Sequence, residues 1–171
     1  MLRSLAVVGA VVAVIVVLNY RAPEDPVPEI DPEPVAKQVA TVAPFPVLLP
    51  ADDGWRPTAA RWEPSPESQG EPVWFTGGVY SETGPFASVS QSVAASEDYL
   101  AEQTGQGRAT GETVEVAGAP WQRYSSAAER SLVRVAVGST TVVSGTGSWE
   151  DLQRFAASLA PVVTPEAEPP G

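Results

Sequence analysis

Neither cysteine nor histidine occurs anywhere in the chain, and lysine occurs once, at Lys37. Without cysteine there is no disulfide framework, no thiolate nucleophile and no lipid-modified cysteine. Without histidine the commonest general base and the commonest metal ligand are both missing. The usual Ser–His dyad is therefore excluded. A Ser–Lys pair would have to use Lys37, at the edge of the folded region. Only oxygen ligands remain for a metal, and no acidic spacing resembles a calcium-binding loop, so no metal or cofactor is expected. Clustered positive charge is scarce as well. The net charge is −11, and every segment beyond residue 19 is acidic on balance. A basic footprint for a phosphate backbone is absent, which excludes nucleic acid as an expected partner.

One long apolar run is present. Seventeen residues without a charge lie between Arg3 and Arg21, ten of them Val, Leu or Ile. At ~1.5 Å per residue they reach ~25 Å as a helix, the short end of a membrane span. Their insertion is worth about 3–6 kcal/mol. Residues 4–20 therefore read as a transmembrane signal anchor. The rival is a cleaved signal peptide, but Asn19, Tyr20 and Arg21 stand where small residues would be needed for cleavage. Arg3 and the α-amino group favour a cytoplasmic N-terminus, with the rest of the chain outside the inner membrane as a single-pass protein.

Residues 21–34 interleave five prolines with five acids, a composition that favours extended polyproline II and reads as a spacer. Residues 164–171 repeat that composition and read as a disordered tail. Between them, residues 35–163 read as one extracytoplasmic domain. It opens with a short amphipathic helix carrying Val35, Val39 and Val42 on one face. Pro44–Pro50 follows, too proline-rich for a helix or central strand, and is expected to lie extended across the core.

Period-two alternation then predicts strands over 56–62, 73–80 and 86–93. Gly77-Gly78 hints at a bulge in the second. In the third, Ala87, Val89 and Val93 share one face and Ser88, Ser90 and Ser92 the other. Ser96 with Glu97 and Asp98 opens a helix that Gly105 ends. Four strands, 113–116, 121–125, 131–137 and 140–146, have connections too short for a parallel crossover and must form an antiparallel meander. Ser148 and Asp151 form a capping-box pattern before a helix with Trp149, Leu152, Phe155, Ala156 and Leu159 on one face. The expected fold class is α+β: an antiparallel sheet of about seven strands with helices packed on one side, preceded by the transmembrane helix.

No motif carries chemistry of its own. The acid pairs Glu97-Asp98 and Glu150-Asp151 could in principle serve glycoside hydrolysis, but they sit where acids stabilise a helix N-terminus. Gly145-Thr146-Gly147 lies between strand and helix as phosphate loops do, yet Glu150 stands where a third glycine is needed. Five tryptophans could line a groove, although sheet and helix core is their ordinary place. Arg123 and Arg134 fall on neighbouring strands and could flank a carboxylate or phosphate of a partner. They are the candidate contact residues. No catalytic, cofactor-binding or metal residue is assigned.

The run Pro44–Pro50, then Gly54-Trp55-Arg56-Pro57 and Arg61-Trp62, resembles a known family. So do Gln91-Ser92, Trp121 with Tyr124-Ser125, Leu132-Val133-Arg134 and Gly145-Thr146-Gly147. Together they resemble the actinobacterial single-span membrane proteins grouped as domain of unknown function 4245. The resemblance implies an inner-membrane anchor with the domain on the outer side, and it implies no activity. The functional expectation is a non-catalytic interaction module of the cell envelope that binds a protein or a wall polymer. The alternatives are a small-ligand or lipid carrier and a carboxylate-dependent glycan enzyme.

Overall fold

The computed structural model describes residues 28–81 and 84–163. The predicted anchor at 4–20, most of the spacer and the tail at 164–171 lie outside the described residues. None of the described helices is long and apolar enough to cross a membrane.

The elements run α1 (Glu33–Ala40), β1 (Leu48–Pro50), β2 (Arg56–Pro64), β3 (Pro72–Val79), β4 (Phe86–Ser92), α2 (Glu97–Gln103), β5 (Arg108–Val116), β6 (Ala119–Ser125), β7 (Arg130–Ala136), β8 (Ser139–Gly145), α3 (Trp149–Ala157) and β9 (Leu159–Pro161). Seven strands form one sheet in the order β2-β3-β4-β8-β7-β6-β5, antiparallel throughout. The α+β class and the C-terminal meander agree with the sequence pattern. The two meanders meet where β4 pairs with β8, so the chain must travel from the middle of the sheet to its far edge between β4 and β5.

That journey overturns the expectation of helices on one side. One face of the sheet carries Ala87, Val89, Val116, Trp121, Leu132 and Val143, which pack against Leu152 and Phe155 of α3. The same face carries Trp74, packed against Ala36 and Val39 of α1. On the opposite face Val73, Val133 and Val142 pack against Tyr99 of α2. With helices expected on one side only, the face of β4 that carries Ser88, Ser90 and Ser92 would be open to water. They are buried instead, because α2 crosses over them on its way to β5.

Four smaller differences have local causes. β5 begins at Arg108 rather than 113, since a bulge between Ala109 and Thr113, with Gly111 at φ 82°, interrupts the alternation. The bulge expected in β3 lies opposite it, in β2 between Pro57 and Ala59. Gly78 is needed there because an added Cβ would sit 2.2 Å from the Arg56 carbonyl oxygen. Leu159 leaves α3 and starts β9, which pairs with β1 in a separate two-stranded ribbon. Residues 30–34, expected within the spacer, belong to the folded unit: α1 starts at Glu33, and Ile30 N–H donates to Pro57 O at 2.9 Å on the edge of β2.

The buried indoles are tied to the backbone as well as packed. Trp55 Nε1–H donates to Ala87 O and Trp74 Nε1–H to Leu48 O, both at 3.1 Å. Gln91, also buried, accepts from Leu48 N–H at 2.8 Å and donates to Pro46 O at 3.2 Å. The extended 44–50 segment is thereby fastened across the core as the sequence suggested.

Candidate functional site

Several acids have roles in the fold, while Glu67, Asp98 and Glu102 line an open pocket beside α2, where Ser65 Oγ lies 2.8 Å from Glu67 and 3.0 Å from Glu102. Ser96 Oγ accepts from Tyr99 N–H at the start of α2, beside Glu97 and Asp98. At the start of α3, Ser148 Oγ accepts from Asp151 N–H at 3.2 Å, while Asp151 accepts from Ser148 N–H at 2.9 Å. These bonds to the Ser148 hydroxyl and backbone, helped by Arg154, hold the Asp151 carboxyl below the ordinary range. Asp52 accepts from Gly54 N–H and Tyr80 O–H, each at 3.0 Å. Burial and this carboxylate push the Tyr80 phenol up. Among the described residues no group of three or more acids is placed to hold a metal ion.

The glycines of Gly145-Thr146-Gly147 answer to packing. An added Cβ at Gly145 would lie 2.4 Å from Phe86 O, and Thr146 Oγ1 accepts from Phe86 N–H at 3.0 Å. The α3 N-terminus they precede is already filled by Asp151. Ser144 is buried, donating to Gln103 O at 2.7 Å and contacting Ser131 Oγ at 2.9 Å. Three tryptophans, Trp55, Trp74 and Trp121, are core residues, while Trp62 and Trp149 are half-buried.

Arg123 and Arg134 do share a face of the sheet. Arg123 on β6 lies opposite Leu132 of β7, and Arg134 follows Leu132 by two residues. The structure nonetheless separates their tasks. Arg123 forms an ion pair with Glu112 at 2.6 Å and stacks over Trp149, 4.8 Å from the ring centroid. Its Nε lies buried without an acceptor among the described residues. Arg134 remains exposed further along β7.

The companion that Arg123 acquires is Arg130. Its guanidinium lies 5.9 Å from the same Trp149 ring and donates to Gly147 O at 3.0 Å. Arg130 lies opposite Ser125, and Ser125 lies opposite Arg108 on β5. Three strands thus bring Arg108, Arg123 and Arg130 to one corner, around Ser125 and beside Trp149. A shallow groove of ≈ 450 Å³ on the Arg108 side of this corner is lined by Arg108, the Ser125–Ala128 segment and the Gly105-Gln106 turn, and not by Arg123, Arg130 or Trp149. Arg130 was legible as a partner, because it stands two residues before Leu132 and four before Arg134. Arg108 was not, since the Gly111 bulge hid the start of β5.

A family model described as a protein of unknown function (DUF4245) matches residues 1–159. The chain belongs to this family. No curated protein and no solved structure shows significant similarity to it. Membership agrees with the resemblance read from the Pro44–Pro50 run and the motifs after it, and carries no assigned activity.

Proposed function

We propose that this family member is a non-catalytic binding module of the cell envelope. In this reading it is held at the inner membrane by residues 4–20 with its N-terminus cytoplasmic, and it contacts an envelope protein or wall polymer. The observation that carries the reading is a division of labour among charges. Glu97 and Asp98 flank a capped helix start, Asp151 completes a capping box and Asp52 closes a turn. Three arginines gather on an exposed corner of an acidic domain. A catalytic pair of carboxylates needs acids free to face a substrate, and Glu67, Asp98 and Glu102, which share a pocket, are the acids that the alternative reading as a glycan enzyme would use. With Ile30 fixed to β2, a spacer of residues 21–29 would reach about 28 Å at polyproline II rise. That length favours a partner close to the membrane.

Two measurements test this. Thr41 is exposed after α1, and the chain contains no cysteine. Thr41→Cys is therefore expected to react with a membrane-impermeant thiol reagent in intact cells, and labelling only after lysis would reverse the orientation. Crosslinking of the full chain in its own membranes is expected to capture a partner that Arg108→Glu with Arg130→Glu releases. A partner profile unchanged by that pair removes the corner as the contact.

A further inference from the structure

We propose that Arg108 and Arg130, flanking Ser125 at the β5-β6-β7 corner, form a site for a phosphate group. The proposal rests on the binding-module reading and supplies the chemistry of its ligand. Glu112 neutralises Arg123, so the corner's charge is not simply three. Arg108 and Arg130 are exposed, and neither has an acid within 4.0 Å among the described residues. Glu129, next to Arg130 in sequence, pairs with neither arginine, and its carboxyl lies beside Gly105, which lines the groove with Arg108 and Ser125. Glu150 is exposed, 4.0 Å from Arg154.

The register places the two arginines on one face, two strand spacings apart, about 10 Å between backbones. Arginines that flank Ser125 on one face can approach one group from two directions. A carboxylate offers two oxygens in a plane and is satisfied by a single fork. A tetrahedral phosphate offers three oxygens, enough for both forks and the Ser125 hydroxyl. Ser125 Oγ is available: among the described residues its one hydrogen-bond contact is Ser126 O at 3.5 Å. Arg130 is steadied by its bond to Gly147 O and by Trp149, which lowers the cost of ordering it on binding.

The test titrates the full-length chain with inorganic phosphate and with tripolyphosphate, following backbone and arginine side-chain resonances. Shifts confined to β5, β6 and β7 are expected. Affinity for tripolyphosphate is expected to fall about tenfold or more in Arg108→Gln with Arg130→Gln. Near-UV circular dichroism checks the fold. Should the double variant not fold, Arg108→Gln alone, whose side chain makes no ion pair among the described residues, carries the same test. Unchanged affinity in the variant, or equal binding of acetate, overturns the proposal. Two arms identify the source of the phosphate. Arginine-dependent binding to phosphatidylglycerol vesicles but not to tripolyphosphate assigns a lipid headgroup. The reverse assigns a soluble phosphate polymer, and either supports the site. If neither tripolyphosphate nor the vesicles bind while the crosslinked partner still depends on the arginines, this inference falls and the binding-module reading stands.

Discussion

The two faces of the sheet are built by different physics. The α3 face is apolar: Trp121, Leu132, Val143 and Val89 meet Leu152 and Phe155, and Trp55 stacks edge-on to Phe155 at 5.4 Å. The α2 face is a field of buried hydroxyls, Ser88, Ser90, Ser92, Ser131, Thr140 and Ser144, with Tyr99 and three valines among them. Apolar burial is forgiving of direction and scales with area. Buried hydroxyls stabilise only when each finds a partner at the right distance and angle. The α3 face should therefore supply most of the stability. The α2 face, under a helix of seven residues, depends on a few directed bonds.

The comparison breaks most sharply at Leu152. Its side chain is buried to within 2 % in the cluster between α3 and the sheet. Leu152→Ala is expected to cost about 2–5 kcal/mol, the transfer loss plus a cavity that β-sheet neighbours cannot fill. Urea denaturation measures it, and a near-neutral result would move the stabilising core to the α2 face.

On that second face the directed bonds can be cut singly. Ser144→Ala leaves the Gln103 carbonyl without its 2.7 Å donor and Ser131 without its 2.9 Å neighbour. The expected loss is about 1–3 kcal/mol, smaller than that of Leu152→Ala. Hydrogen exchange on α2 amides should speed up in this variant while α3 amides keep their protection. Equal acceleration on both helices would mean that the two faces unfold as one unit.

How much of this was legible follows from the same contrast. Apolar alternation announced β2, β3, β4 and the last meander, and the Ser148–Asp151 pattern announced α3 with its capping box. The expectation of helices on one side misled, because serines at period two do not tell whether a helix later covers them. What decided the matter was the connection from β4 to β5, whose destination depends on strand order and has no local signal. The candidate site divided the same way. Arg123 and Arg134 were placed on neighbouring strands by the alternation, and the register of β6 against β7 puts them on one face. The pairing of Arg123 with Trp149, Glu112 and Arg130 joins three strands and a helix.

Acid sharpens the comparison on the α3 side. Hydrogen bonds from Ser148, with Arg154 nearby, hold the Asp151 carboxyl below its ordinary value. A depressed carboxylate contributes stability that is complete above its unfolded pKa, about 3.9, and is lost as pH falls through the folded value. Asp151→Asn lacks that contribution. It is expected to be the less stable protein near neutrality, with the gap closing in acid as the wild type protonates. Thermal midpoints measured between pH 7 and pH 2 test the sign. A gap that widens in acid would place the favourable interaction with the neutral carboxyl.

The smallest expected effect is at Tyr99, and it asks whether the hydroxyl face is fully satisfied. The ring is wholly buried against Val73, Val133 and Val142, and burial pushes the phenol pKa up. Its oxygen faces the Ser90 hydroxyl but meets no partner at full hydrogen-bond geometry among the described residues. A buried hydroxyl so weakly bonded has given up its water for little in return. Tyr99→Phe keeps the ring and its contacts while removing that oxygen. Stability is therefore expected to be unchanged or to rise by up to about 1 kcal/mol, where Ser144→Ala on the same face loses it. Denaturation of the two variants side by side measures the difference. A loss of more than about 1 kcal/mol in Tyr99→Phe would show the hydroxyl bonded within the serine row. The α2 face would then be a closed polar network, and the difference between the faces would be one of kind of bond, not of completeness.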